Sequence, residues 1–111
     1  MHKFVVLYNK PEDPEHFRSY YESTHIPLAA GLPGLKAYRY SFSVASPGQD
    51  DPPYFCIFEG EFEDAAAMGE AMSGEYGQKV GADVPNYATG GATILTYAVD
   101  EIGRASCRER V

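Results

Sequence analysis

His25 is the side chain best suited to chemistry. It lies four residues after Tyr21 and eight after Phe17 in the run Phe17-Arg18-Ser19-Tyr20-Tyr21-Glu22-Ser23-Thr24-His25-Ile26-Pro27. Offsets of four, seven and eight fall on one face of an α-helix, so Phe17, Tyr21, Thr24 and His25 read as an inward stripe, away from Arg18 and Glu22. An imidazole of ordinary pKa, roughly 6.5, changes charge near neutrality and can act as general base or acid on a bound phenol, enol or lactone. The same residue at a helix end can instead hydrogen-bond the last carbonyls. Tyr21 faces the same way and can hold a substrate oxygen, orient the imidazole or simply fill the core. Tyr8, Tyr38 and Tyr40 project from strand patterns and, with Phe17, are candidates to line a pocket. Asp83 either steadies His25 across that pocket or caps a helical turn, the cap being the commoner use of such a residue. Asn86 and Tyr87 are candidates for the pocket rim. Cys56 has no companion base and reads as a small buried hydrophobe.

Other chemistries find no support in the sequence. There is no GxGxxG, P-loop, Gly-x-Ser-x-Gly or HExxH motif, and no His, Asp, Glu or Cys set at metal-ligand spacing. An enzyme of this sequence is therefore expected to work without cofactor or metal. The net charge of −7 repels phosphate backbones and anionic lipids, so neither nucleic acid nor membrane is an expected partner. No apolar run approaches the roughly 20 residues of a membrane span. Only Cys56 and Cys107 are present, too few for a disulfide scaffold, and the N-terminus runs straight into a strand pattern; a cytoplasmic protein is expected. Nine tyrosines against six phenylalanines suggest a partly polar pocket or interface, because a buried tyrosine needs a partner for its hydroxyl.

The elements that must position these groups follow from periodicity. Residues 3–8 are β-branched and aromatic with apolar residues at every phase, which predicts a central strand covered on both sides. Asp13-Pro14-Glu15 is a helix start, with a capping carboxylate, a proline at the first helical position and an acid at the positive end of the dipole. Pro27 is expected to end that helix near Ile26, leaving His25 where the helix opens into a loop and a pocket has its mouth. Residues 35–44 alternate as a second strand and 54–62 as a third. Residues 63–72 read as a second helix burying Ala65, Met68 and Met72. The Gly-rich stretch 73–87 is less regular, with one more helical turn around 76–83, and 92–99 is the last strand. The order is βαββαβ: α+β, ferredoxin-like, with a four-stranded antiparallel sheet and both helices on one face. A second copy is the simplest cover for the other face, hence a homodimer.

The run from Phe17 to Leu28, Tyr-Tyr-x-x-x-His-x-Pro-Leu at its heart, followed by Leu32-Pro33-Gly34-Leu35, resembles the signature of the EthD family. Residues 72–78 and 82–87 are similar to the second half of that family, so the resemblance covers most of residues 1–100. It implies a dimeric α+β barrel with a pocket between sheet and helices. The family's founding member accompanies an ether-degrading oxygenase system, and proteins of the same fold include cofactor-free monooxygenases, polyketide cyclases and lactone isomerases. The expected function is a cofactor-independent enzyme, oxygenase-like or isomerase- or cyclase-like, acting on a small aromatic or enolic metabolite with His25 as general acid/base. The alternative is a non-catalytic carrier of a small hydrophobic molecule; a haem-handling barrel is disfavoured by the acidic charge.

Residues 101–111 lack any strand or helix period, hold three of the nine basic residues and resemble an in-frame translation of a common sequencing adapter. Residues 1–100 are accordingly taken as the EthD-like domain and 101–111 as a non-native tail. Truncation after Asp100 is expected to leave the melting temperature unchanged within error; a drop of several degrees in a thermal melt would show that the tail packs.

Overall fold

A computed structural model describes residues 1–105 of the chain. Four strands, β1 (His2–Asn9), β2 (Ala37–Ser41), β3 (Tyr54–Phe62) and β4 (Ala92–Ala98), form one antiparallel sheet in the order β2-β3-β1-β4. This is the expected ferredoxin-like arrangement with β1 central. β2 is shorter than residues 35–44. The register settles which face carries which residues. Val6 pairs with Phe58 and Ile94, and Tyr8 with Cys56 and Ala92; these positions face the helices, and Tyr38 and Tyr40 join them through their partners Gly60 and Phe58. Lys3, Val5 and Leu7, with Glu61, Glu59 and Ile57 on β3, face the other way. A bulge opposite Tyr8 and Asn9 turns Phe55 toward the helices, where its ring meets Phe17 edge-on at 5.0 Å.

The first helical arm departs from expectation at its end. α1 (Pro14–Tyr20) begins as read, with the Asp13 carboxylate accepting from the His16 amide at 3.1 Å. Pro27 does not end the arm near Ile26. The chain widens into a π-helical turn, Tyr21–His25, in which the Ile26 amide donates to the Tyr21 carbonyl, and continues as α2 (Ile26–Ala29). A proline ring in a regular helix collides with the carbonyl four residues before it, here that of Ser23. A wider turn relieves that crowding and puts Pro27 in the first turn of α2, where its missing N–H costs little. The inserted residue also resets the phase: His25 and Ile26 are both buried and Thr24, expected on the inward stripe, is exposed.

After β3, α3 (Ala65–Ser73) is capped by Asp64, whose carboxylate accepts from the Ala67 amide at 2.8 Å. It buries Ala71; Met68 and Met72 are only half-buried and Ala65 is exposed, against expectation, and another helix packs beside α3. That neighbour, α4 (Glu75–Asp83), is a full helix where a single turn was expected. Its glycines disguised it. Gly77 allows contact so close that a Cβ there would collide with the Ala71 carbonyl of α3. A short 3₁₀ turn, Val84–Asn86, leads on toward β4.

The helices stop short of β4, every residue of which is exposed. On the open sheet face Leu95 and Tyr97 are 50% and 49% exposed, beside half-buried Val5, Leu7 and Ile57. Lys3 sits between Glu59 and Glu61 at 3.6 and 3.0 Å, and Arg39 reaches both acids from β2. None of the helices among the described residues is long and apolar enough to cross a membrane.

Phe17 centres the core. It is fully buried, and its ring meets those of Tyr8, Tyr21, Phe42, Phe55 and Tyr87. Phe17→Ala is expected to cost about 3–5 kcal/mol in urea unfolding, and Phe17→Leu much less, because leucine refills most of the volume. A loss below about 1 kcal/mol for Phe17→Ala would contradict this packing.

Candidate active site

His25 reaches inward from the π-helical turn and is only 4% exposed. Its Nδ1 lies 2.9 Å from Oδ2 of Asp83, at the end of α4. A carboxylate can only accept, so Nδ1 carries the proton and donates. The other carboxylate oxygen, Oδ1, accepts from the Tyr20 hydroxyl at 2.5 Å and from the Asn86 amide at 3.0 Å. The arrangement ties the first helical arm to the far end of α4 across 58 residues of sequence.

The electrostatics keep this pair unequal. Burial lowers the His25 pKa below its ordinary value, and the attraction of Asp83 only partly offsets that. Burial alone would raise the Asp83 pKa, but hydrogen bonds from Tyr20, His25 and Asn86 outweigh it and leave the carboxyl below its ordinary range. The two shifts pull against each other across one bond. The direction is set by desolvation of the nearly enclosed imidazole, so the pair rests as neutral histidine and aspartate anion near neutral pH. With Nδ1 protonated, Nε2 holds the lone pair and, among the described residues, makes no hydrogen bond.

His25 lines a partly open cavity of about 80 Å³ between sheet and helices. β1 contributes Phe4, Val6 and Tyr8 to its wall, β3 Phe58, and β4 Ala92 and Ile94. The helical side supplies Ala29, Leu32, Met72, Val80, Gly81 and Val84. Among the described residues, the lining apart from His25 and Tyr8 is apolar and includes no lysine or arginine. The Tyr8 hydroxyl is bonded to that of Tyr87 at 2.8 Å, which leaves the imidazole as the polar group free to meet a ligand.

Behind this wall lies a block of rings. Tyr21 stacks on His25 at 5.5 Å and 18°, and Tyr87 packs on the imidazole at 4.7 Å. Burial pushes the phenols of Tyr21 and Tyr87 far above their ordinary range and that of Tyr8 up to about 12; the Cys56 thiol also rises to about 12, so these groups stay neutral. Among the described residues the Tyr21 hydroxyl is fully buried without a well-formed hydrogen bond, its polar neighbours being Tyr8 and Cys56.

The residues singled out from sequence thus separate. Tyr8 and His25 are on the cavity wall. Tyr21 and Tyr87 lie behind it, against the imidazole. Phe17 belongs to the core. Tyr38 is 40% exposed and stacks on Phe58, and Tyr40 donates to Glu22 at 2.9 Å; neither lines the cavity. Asp83 meets His25 instead of acting as a helix cap. Asn86 is exposed and supports Asp83. Tyr20 was missed: its neighbour Tyr21 carries the inward phase, and nothing local signals that Tyr20 points sideways to Asp83. The cavity mouth also differs from expectation. Its exposed lining residues are Gly81, Ala92 and Ile94, so it opens between α4 and β4, not beside Pro27, which α2 carries past.

Comparison with known proteins gives a consistent answer. The model for the EthD domain family matches residues 9–91. An uncharacterized 11.0 kDa protein of the thcB-thcC intergenic region of Rhodococcus erythropolis is 34% identical over 95 residues, covering 86% of this chain and 91% of that one. The crystal structure of an EthD family protein from Bacillus halodurans superposes with a TM-score of 0.82 at 28% identity, over 89% of this chain and 98% of that chain. Two more distant structures share the fold alone. One is a dimeric ferredoxin-like protein from Jannaschia sp. (TM-score 0.64, 19% identity, 89% and 100% covered). The other is a cofactor-independent oxygenase from Streptomyces nogalater (TM-score 0.64, 13% identity, 91% and 94% covered).

The lowered His25 pKa links folding to pH. The unfolded chain binds a proton at His25 near pH 6.5, the folded chain only at lower pH. Stability present above about pH 6.5 is therefore lost as pH falls from there through the folded value. The Asp83 contribution is lost separately, below its ordinary 3.8. Thermal melts between pH 7.5 and 4.5 are expected to show a falling midpoint that His25→Asn flattens; equal slopes for the two proteins would refute the burial effect.

Proposed function

The chain belongs to the EthD family, and from that premise we propose that it is a cofactor-independent enzyme using His25 as general acid/base on a small, neutral aromatic or enolic molecule. The observation that carries the reading is the hydrogen bond from His25 Nδ1 to Asp83, 2.9 Å long, with the other ring nitrogen left free at an apolar cavity. Nε2 would take the acidic proton of a bound phenol, enol or activated C–H, and the Asp83 carboxylate would stabilise the resulting imidazolium. Return of that proton to another atom of the substrate gives isomerase- or cyclase-like chemistry. Reaction of the anion with dioxygen gives the oxygenase-like alternative, which the cofactor-independent oxygenase sharing this fold supports by analogy. The absence of lysine and arginine from the described lining residues argues against a carboxylate- or phosphate-bearing substrate.

The active form is proposed to be a homodimer packed through the open sheet faces. The half-exposed Leu95 and Tyr97 favour this, as does the dimeric state of the Jannaschia protein. A cytoplasmic location fits the free, buried thiol of Cys56.

Proton exchange at the α-carbon of small cyclic and aryl ketones in D₂O, followed by NMR, tests the reading. Wild-type protein is expected to accelerate exchange, with a rate that holds down through the imidazole's ordinary 6.5 and falls only at lower pH, where the buried ring takes its proton. His25→Asn is expected to lose on the order of a hundredfold or more and Asp83→Asn a smaller factor, with folding retained. Ketones that bind equally to both proteins without accelerated exchange would establish the carrier reading instead.

A further inference from the structure

The cavity is too small for the ligand its chemistry suits. An apolar cavity that takes benzene measures roughly 150 Å³, against about 80 Å³ here. Any aromatic ligand that meets His25 must therefore extend into the mouth, even if the flexible Met72 yields some room. Size selection then falls to the residues of the mouth, which are Gly81, Ala92 and Ile94.

Gly81 stands out among these. It lies inside α4 and outside the left-handed region, so its backbone does not require glycine. Among the described residues a Cβ at this position would meet nothing within 4 Å, so packing against them does not require it either. Gly77, about one turn earlier in the same helix, is the direct contrast, since contact with α3 forces glycine there. Glycine inside a helix is unfavourable relative to alanine. The missing side chain leaves open space at the mouth of the cavity that His25 lines.

We propose that Gly81 is a specificity-determining residue, holding open the gap between α4 and β4 through which a neutral, apolar ligand longer than the inner chamber projects. The inference rests on the cavity being the ligand site proposed above, and deepens it by assigning the ligand an apolar extension whose length residue 81 limits. Gly69 is the internal control. It too is a helical glycine whose Cβ would meet nothing within 4 Å, but it lies on α3 and does not line the cavity.

The test is calorimetric titration of the full chain with a 4-alkylphenol series, from phenol to 4-hexylphenol. Gly81→Ala and Gly69→Ala are both expected to melt a few degrees higher than wild type. Gly81→Leu is expected to bind the long-chain phenols at least tenfold more weakly while phenol itself changes less than threefold, and Gly81→Ala to show the same trend with a smaller loss. Gly69→Ala and Gly69→Leu should leave the series unchanged. Long-chain phenols that bind both Gly81 variants as tightly as wild type, or an equal loss in the Gly69 variants, would overturn the proposal while leaving the ligand site intact. Failure of wild-type protein to bind any member would overturn the ligand site and the proposal together. Binding without ketone exchange would remove only the catalytic reading.

Discussion

Pro27 imposes the constraint on which the site depends. A regular helix through residues 14–29 would drive its ring into the Ser23 carbonyl. The π-helical turn of residues 21–25 avoids this, and the added residue rotates the rest of the arm. Without it, one of His25 and Ile26 would be inward and the other would drift toward solvent. With it, Ile26 enters the core and His25 points across to α4, where Asp83 waits. The wide turn thus makes a helix breaker into a positioning device, and the hydrogen bond it permits is the one that fixes the imidazole tautomer.

Two opposed effects then act on one imidazole. A partner carboxylate at 2.9 Å favours the cation, and enclosure among Tyr21, Tyr87 and the apolar cavity wall disfavours it. Enclosure wins, so the ring rests neutral, with the anion that would stabilise its charged form already in place. Asp83 can play this part because three donors hold its carboxyl ionised at a half-buried position. Tyr20 and Asn86 therefore matter to the imidazole through the acid, although neither touches it.

Much of the fold was legible because its signals are local. The strand segments 3–8 and 54–62 are rich in β-branched and aromatic residues, and Asp13-Pro14-Glu15 carries capping, φ and dipole preferences together. The run around His25 pointed to the family and to the residue itself. The features that escaped depend on distance or on backbone compromise. Asp83 and His25 are 58 residues apart, and no periodicity relates them. Proline's ordinary meaning as a stop hid α2, and glycine's ordinary meaning as a break hid α4, whose Gly77 serves close packing instead. With α4 hidden, the mouth beside Gly81 could not be located, and the end of the first helix took its place. Tyr38 and Tyr40 read as pocket candidates because a strand's period reveals which residues share a face but not how far along the sheet the helices reach.

That reach also decides how the molecule divides its surfaces. β1 and β3 serve both faces of the sheet: Val6, Tyr8 and Phe58 belong to the cavity side, while Val5, Leu7 and Ile57 face outward. A second copy on the outer face would leave the mouth between α4 and β4 accessible, because that mouth lies on the helix side. It would also press on the backs of the strands whose fronts form the cavity floor. On the cavity side, Tyr8 of that floor is tied to Tyr87 by a hydroxyl pair 2.8 Å apart. Tyr87 in turn packs on the imidazole at 4.7 Å. The outer sheet face and His25 are thus separated by one strand and two tyrosines, Tyr8 and Tyr87.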